Sequence, residues 1–294
     1  MDRGTMKGME AVFVVGAAKA GTTSLLRALD RHPQVSVSSV KEPRFFLPPS
    51  FTVSGPGAGA YERTRVRSFD DYSDLFQAGS ETRVFVEGST DYLHVRGSEE
   101  LIHSRFPSAK IIVVVRDPVD RAHSEHFHVR RDCLETGDFL SSLREEKTRR
   151  EAGWQPLFWH TERSLYFEAI SRFGTKFGPE NVLVLNFGDL QDDWVGFFLR
   201  ICEFVGIDKR DAPVLPHENR SGEPRFRAVQ RLIMSRRVRK LLLPFLGQRA
   251  GAQWKIRLSE INLTPTAVPT EAGVEWVRER CWADFEKTQR MIDG

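Results

Sequence analysis

The sequence predicts a doubly wound α/β fold, with a parallel central sheet and helices on both faces. Three observations predict it. Four short runs are apolar throughout, as strands covered on both faces are. Each is followed by a segment of helical periodicity, the alternation that βαβ units produce. The length, 294 residues, suits one large α/β domain, taken here as residues 1–294.

The first run is Ala11–Gly16 (AVFVVG), followed by a helix over Thr22–Arg31. Arg83–Glu87 (RVFVE) precedes a helix over Gly97–Phe106. Lys110–Arg116 (KIIVVVR) leads into Asp117–Arg131, where Asp117 suits the N-cap and Pro118 the first turn. Asn181–Asn186 (NVLVLN) precedes Trp194–Val205. Two regions break the pattern. Pro48–Arg67, rich in Pro, Gly and Ser, reads as a long loop. Asp211–Gln253 is basic, with most of its arginines between Arg225 and Arg239, and reads as a solvated face or a flank of the active site.

Composition narrows the function classes. The chain is 40% hydrophobic and 28% charged, which is ordinary for a globular protein with a sizeable core. A net charge of +3 gives no global field of the kind nucleic-acid binders carry. Cys133, Cys202 and Cys281 are odd in number and widely spaced, so neither a disulfide framework nor a zinc site is expected, and a cytoplasmic, reducing setting fits. No apolar stretch approaches the ~20 residues of a membrane span. His123, His126 and His128 do not share one helical face and read as surface or core residues.

On a sheet of this kind ligands bind beyond the carboxyl ends of the strands. After the first strand comes Gly16-Ala17-Ala18-Lys19-Ala20-Gly21-Thr22-Thr23-Ser24, a P-loop-like phosphate-binding loop. Small residues and a helix N-terminus offer free N–H groups and the positive end of the helix dipole to an anion. A nucleotide-hydrolysing loop reads G-x-x-x-x-G-K-[ST]. Here Thr22 stands in place of that lysine, and the cation has moved to Lys19. The departure argues against the rival reading, a kinase-like phosphotransferase.

With Lys19, Gly21, Thr22, Thr23 and Ser24 in that order, the chain resembles the PAPS-dependent sulfotransferases, in particular bacterial members and the carbohydrate and heparan enzymes. The resemblance implies that Lys19, Ala20, Gly21, Thr22, Thr23 and Ser24 hold the 5′-phosphosulfate of PAPS. A second motif extends it. Val113-Val114-Val115-Arg116-Asp117-Pro118 followed by Ser124 is similar to the family's R-[DN]-P with a serine eight residues after the arginine, which implies that Arg116 and Ser124 bind the 3′-phosphate. Ser164-Leu165-Tyr166 is similar to a family segment near the nucleotide, and Asn219–Arg225 to a loop of bacterial members.

Lys41-Glu42-Pro43-Arg44-Phe45-Phe46 resembles the K-E-P-x-F-F segment whose glutamate is the general base, which makes Glu42 and Lys19 the catalytic candidates. Where the carbohydrate enzymes often read E-K-S/T-x-x-Y, this chain has Glu87-Gly88-Ser89-Thr90-Asp91-Tyr92. Gly88 replaces a lysine that contacts the transferring group. Arg44 is the candidate to restore that charge, and Ser89 or Thr90 to bond the sulfuryl oxygens. No metal is called for, since the donor is already activated. The expected partner is a glycan or small-molecule hydroxyl, with its pocket built from Phe45–Arg67, Glu125–His160 and Pro213–Trp254. A PAP-binding module without catalysis is the non-enzyme alternative.

Overall fold

A computed structural model of the protein describes residues 6, 8–209, 212–214, 222–226, 229–230 and 262–293. Five strands form the main sheet: β1 (Glu10–Gly16), β2 (Val35–Val37), β3 (Val84–Gly88), β4 (Lys110–Val115) and β5 (Val182–Asn186). All neighbours are parallel, in the order β2-β3-β1-β4-β5. Four are the strands read from the sequence. The fifth, β2, has three residues and sits at the edge, too short to show a period.

The described helices are α1 (Thr22–Leu29), α2 (Ala58–Thr64), α3 (Phe69–Ser73), α4 (Ser98–Arg105), α5 (Pro118–Arg131), α6 (Phe139–Glu151), α7 (Phe167–Phe177), α8 (Phe187–Asp192), α9 (Trp194–Val205) and α10 (Glu271–Asp293). A short antiparallel ribbon pairs β6 (Gly222–Pro224) with β7 (Leu263–Pro265). Pro48–Arg67, expected as a loop, carries α2. The buried Arg65 guanidinium organises it by donating to the carbonyls of Phe51 at 2.8 Å and Pro48 at 2.9 Å. The basic segment Asp211–Gln253 lies largely outside the described residues, as does the first half of Asn219–Arg225.

The core forms around β1, of which six residues in seven are buried. Phe13 meets Phe46 edge-on at 5.5 Å and Phe85 at 6.3 Å, a geometry that aromatic quadrupoles favour. A second cluster joins Val119 and Ala122 of α5, Phe139 and Leu143 of α6, and Val277 and Cys281 of α10. Full burial of a Val, Leu or Phe side chain such as these contributes roughly 1.5–3 kcal/mol.

Strand order decides where a ligand can sit. From β1 the chain runs to β2 and β3 on one side, then crosses to β4 on the other. The order therefore reverses between β1 and β4, and in sheets of this kind the ligand crevice lies beyond the carboxyl ends of the strands at that point. Gly16 closes β1 there, and Arg116 follows β4.

At the end of β3, Gly88 packs directly beneath α1. A Cβ at this position would overlap Leu26 Cδ1 and approach Leu26 Cγ to 3.2 Å. Gly88→Ala is expected to lower the unfolding free energy by about 1–3 kcal/mol through overpacking. In a double-mutant cycle read by urea denaturation, Leu26→Ala should offset part of that loss. Strictly additive effects would mean the two positions do not touch.

Candidate active site

The loop after β1 is shaped by two left-handed residues. Lys19 has φ 68° and Gly21 φ 79°. At Gly21 a side chain would also meet Phe187 at 3.0 Å and Leu190 at 3.1 Å. Gly21 is the N-cap of α1 and supplies no side-chain cap, so the first-turn N–H groups of the helix are left for another acceptor. Ala20 is fully buried and Thr22 nearly so, while Thr23 and Ser24 are half-buried on the first turn.

Across the crevice, Arg116 Nη1 donates to the Lys19 carbonyl at 3.0 Å, tying the end of β4 to the loop after β1. Its Cζ lies 4.8 Å from the Phe187 ring centroid, a cation–π contact. Arg116 Nε is buried without a hydrogen-bond partner. Asp117 caps α5 as expected, accepting from Val119 N at 2.9 Å and Asp120 N at 3.1 Å. Ser124 is buried two turns along α5. Tyr166 is wholly buried, and its hydroxyl donates to the Arg116 carbonyl at 2.9 Å. It acts on the site through the Arg116 backbone. Asp284 of α10 fixes it in turn, accepting from Tyr166 N at 2.6 Å and Phe167 N at 3.1 Å.

Glu42 lies beyond β2, in a segment held by β3. Its Oε2 accepts from Thr90 N at 2.9 Å and its Oε1 from Thr90 Oγ1 at 3.1 Å. Arg44 N donates to Ser89 Oγ at 3.0 Å. The Ser89 and Thr90 hydroxyls, expected to face a transferring group, serve the Glu42 segment instead. Tyr92 Oη accepts from Phe46 N at 3.1 Å and donates to Glu87 Oε2 at 2.9 Å, anchoring the same segment from below. Lys19, Glu42 and Arg44 are three of the four non-glycine residues with positive φ among those described. Such conformations persist where surrounding contacts over-determine them, and they gather at functional sites.

Arg44, expected to stand in for the missing lysine, is committed elsewhere. Its Nε binds Asp91 Oδ2 at 2.7 Å, and its Nη2 lies 3.9 Å from Glu42 Oε2. Asp91 also accepts from Tyr61 Oη at 2.7 Å and meets Arg163 Nη2 at 3.0 Å. Burial opposes its charge, but Arg44 and Arg163 hold it below the usual carboxylate range. Arg163 continues to Glu125 Oε1 at 2.9 Å, and Arg121 reaches Glu125 Oε2 at 3.0 Å. Burial again opposes the charge, yet Arg121 and Arg163 hold Glu125 at about 2. Sequence reasoning missed this network. Its one visible sign was Arg121 and Glu125 at i, i+4 on α5.

The electrostatics around Lys19 point to an anion. Burial, and then the charge of Arg131, bring its amine down to about 8, with Lys41 and Arg116 acting in the same direction. At neutral pH it therefore remains mostly protonated. His128 is pressed well below its ordinary value by burial, then by Lys19 and Arg131. Of the three histidines read as surface or core, His126 is core, at 1% exposure. His128 is partly exposed, at 25% of its side chain. No cluster of metal-ligating residues occurs among the described residues, and no described helix is long and apolar enough to cross a membrane. A groove of about 500 Å³ runs beside α1, lined by Thr23, Leu26, Lys41, Gln77 and Gly88 among others. It uses β2 and its flanks, outside the segments expected to build an acceptor pocket.

Comparison with known proteins follows the same lines. A model described as the sulfotransferase family matches residues 69–211. A crystal structure of a sulfotransferase from Alicyclobacillus acidocaldarius is 31% identical, with a TM-score of 0.68, over 86% of this chain and 94% of that one. Mouse carbohydrate sulfotransferase 15 is 27% identical over 168 residues, 45% of this chain and 29% of that protein. Human heparan sulfate glucosamine 3-O-sulfotransferase 6 is 27% identical over 198 residues, 67% of this chain and 52% of that protein. The matched stretches thus span 29% and 52% of those two relatives.

Glu87 gives a test of the frame beneath the site. Burial pushes its carboxyl from 4.5 up to about 8, against the hydrogen bonds of Ser89 and Tyr92. The folded state then holds a proton that the unfolded state releases near 4.5, so stability should fall as pH rises from 4.5 towards 8 and level off above. Glu87→Gln should flatten that slope in urea titrations. Parallel profiles for the two proteins would mean that the carboxylate is ionised in the native fold.

Proposed function

The chain belongs to the sulfotransferase family, and from that premise we propose that it transfers a sulfuryl group from PAPS to the hydroxyl of a carbohydrate, lipid or natural-product acceptor, releasing PAP. The observation that carries the reading is the bond from Arg116 Nη1 to the Lys19 carbonyl at 3.0 Å. It joins two anion-binding elements across the crevice between β1 and β4. One donor with phosphate groups at both its 3′ and 5′ ends uses both elements. The residues fit such a donor on three counts: the uncapped N-terminus of α1, the unpartnered Arg116 Nε, and an amine at Lys19 crowded by like charge.

PAPS supplies an activated sulfuryl group when bound, so the protein's part is to hold, orient and move a proton. The α1 N–H groups, Thr22, Thr23 and Ser24 hold the 5′ end. Arg116 and Ser124 hold the 3′-phosphate, with Tyr166 fixing the Arg116 backbone. Lys19 is placed to offset charge on the departing 5′-phosphate, and preorganised charge of this kind contributes several kcal/mol in a transition state. Glu42 takes the acceptor proton. Its oxygens accept from Thr90, and each retains further lone-pair capacity. Thr22 in place of a P-loop lysine speaks against the kinase reading.

We take residues 1–294 as one domain working in a reducing, cytoplasmic setting, a reading that the odd number and wide spacing of Cys133, Cys202 and Cys281 support. The similarity to carbohydrate and heparan sulfotransferases favours a glycan hydroxyl as the first acceptor class to screen.

Transfer of radiolabelled sulfate from PAPS to a panel of glycans, lipids and natural-product alcohols tests the reaction. Glu42→Gln is expected to keep PAP affinity and to lose turnover by about 10²–10⁴-fold. Turnover unaffected in that variant would sink the base assignment. Arg116→Ala should weaken PAP binding by about ten- to a hundredfold, the loss of a charge-assisted bond to phosphate, as read by calorimetry. PAP bound tightly with no transfer to any acceptor would point to a binding module, and magnesium ATP bound in preference to PAP to a kinase.

A further inference from the structure

The catalytic charge that relatives carry on a lysine has no place at position 88. Leu26 of α1 occupies the space that any side chain there would enter. Arg44, the nearest substitute in the sequence, gives its Nε to Asp91 and its Nη1 to Thr64 Oγ1 at 3.1 Å. The charge must come from another element.

It is present on α5. Ser124, His128 and Arg131 stand at i, i+4 and i+7, so they line one face of that helix. The rise from Ser124 to Arg131 is about 10 Å, enough to carry the face from the 3′-phosphate subsite towards the 5′ end of a nucleotide. Arg131 is held there by two neighbours. Its Nη2 donates to His128 Nδ1 at 2.7 Å, and its Nε to Asp132 Oδ1 at 3.2 Å. These bonds use two of its three nitrogens and leave Nη1 outside them. His128 must be neutral to accept, and burial together with the charges of Lys19 and Arg131 keeps it so. Of all neighbouring charges, Arg131 acts most strongly on the Lys19 amine, and Lys19 most strongly on His128. The three groups therefore lie within electrostatic reach of one another. At 20% side-chain exposure, Arg131 is neither sealed in the core nor spread on the surface.

We propose that Arg131, oriented by His128 and Asp132, is a second catalytic cation that contacts the non-bridging oxygens of the sulfuryl group during transfer. It rests on the donor assignment above. In the step, the acceptor oxygen forms a bond to sulfur while sulfur's bond to the bridging oxygen of the 5′-phosphate breaks. The bonding pair leaves on that oxygen, and the acceptor proton passes to Glu42. Arg131 acts on the three oxygens that stay with sulfur, and Lys19 acts on the oxygen that departs. The guanidinium comes from the helix that also holds the 3′-phosphate, so one rigid element spans both ends of the donor.

The test compares PAPS with PAP, which differ by the sulfuryl group alone, in a Glu42→Gln background that blocks turnover. Arg131→Ala is expected to weaken PAPS binding about tenfold, the loss of one charge-assisted contact, and to leave PAP binding within twofold. With Glu42 intact, conversion of PAPS to PAP should fall by about 10²-fold in Arg131→Ala, and Arg131→Lys should recover part of it. PAP affinity doubles as the check that each variant is folded. If Arg131→Ala fails that check, Arg131→Lys carries the test through its ratio of PAPS to PAP affinity. Equal losses for PAPS and PAP would overturn the proposal, because Arg131 would then hold the nucleotide. Unchanged PAPS affinity with unchanged turnover would overturn it as well. Failure of the unmodified protein to bind either nucleotide would sink the donor assignment itself, a separate and recognisable result.

Discussion

The buried guanidinium of Arg163 is the contact on which the site depends. It is 1% exposed and stands between Glu125 on α5 and Asp91 behind β3, with Thr90 Oγ1 at 3.3 Å. A charge in the interior survives only when paired and hydrogen-bonded. Here the pairing is balanced: Arg44, Arg121 and Arg163 stand against Glu42, Asp91 and Glu125. Removing one partner from such a set leaves a buried charge uncompensated, at a cost of about 3–5 kcal/mol. The network also joins the two halves of the proposed site. Glu125 belongs to the helix assigned to the donor, and Thr90 gives both of its donors to Glu42.

A second group of charges lies beside this balanced set. Around Lys19 the largest effect after burial comes from Arg131, a like charge, ahead of the attraction of Glu125. Lys41 and Arg116 add to the repulsion. Self-repulsion of this kind lowers the stability of the empty protein and raises its affinity for an anion, because the ligand relieves it. The division of labour follows from desolvation. Charges that fix geometry are neutralised within the fold, and those around Lys19 are left in surplus.

Much of the fold was legible in the sequence because a parallel sheet declares itself. Its strands are apolar on both faces, so Val12–Val15 and Ile111–Val115 read as strands without any neighbour to help. The turn after β1 and the Asp117-Pro118 cap were legible for a related reason, since backbone geometry demands particular residues at those points. What could not be read is what tertiary contacts decide. β2 has three residues and gains its pairing from β3. α2 depends on the guanidinium of Arg65 reaching back to carbonyls fourteen and seventeen residues earlier. Arg163 carries no local signature, because its partners lie 38 and 72 residues away in the chain. Arg131 was closer to hand. The spacing Ser124–His128–Arg131 is visible, but His128 was read only with His123 and His126, which do not share its face.

The strained backbone at Lys19, Glu42 and Arg44 follows from the same arrangement. A left-handed conformation costs a non-glycine residue roughly 1–2 kcal/mol, and all three are held in it by bonds from other strands. Arg116 grips the Lys19 carbonyl, Thr90 grips the Glu42 carboxylate, and Ser89 grips the Arg44 amide. Each grip comes from the carboxyl end of a neighbouring strand, where parallel pairing has already fixed the backbone. Loops alone could not keep two such turns facing each other across a crevice. The sheet does so because β1, β3 and β4 are adjacent, so that the anion loop, the Arg116 hook and the Glu42 segment take their positions from one rigid register.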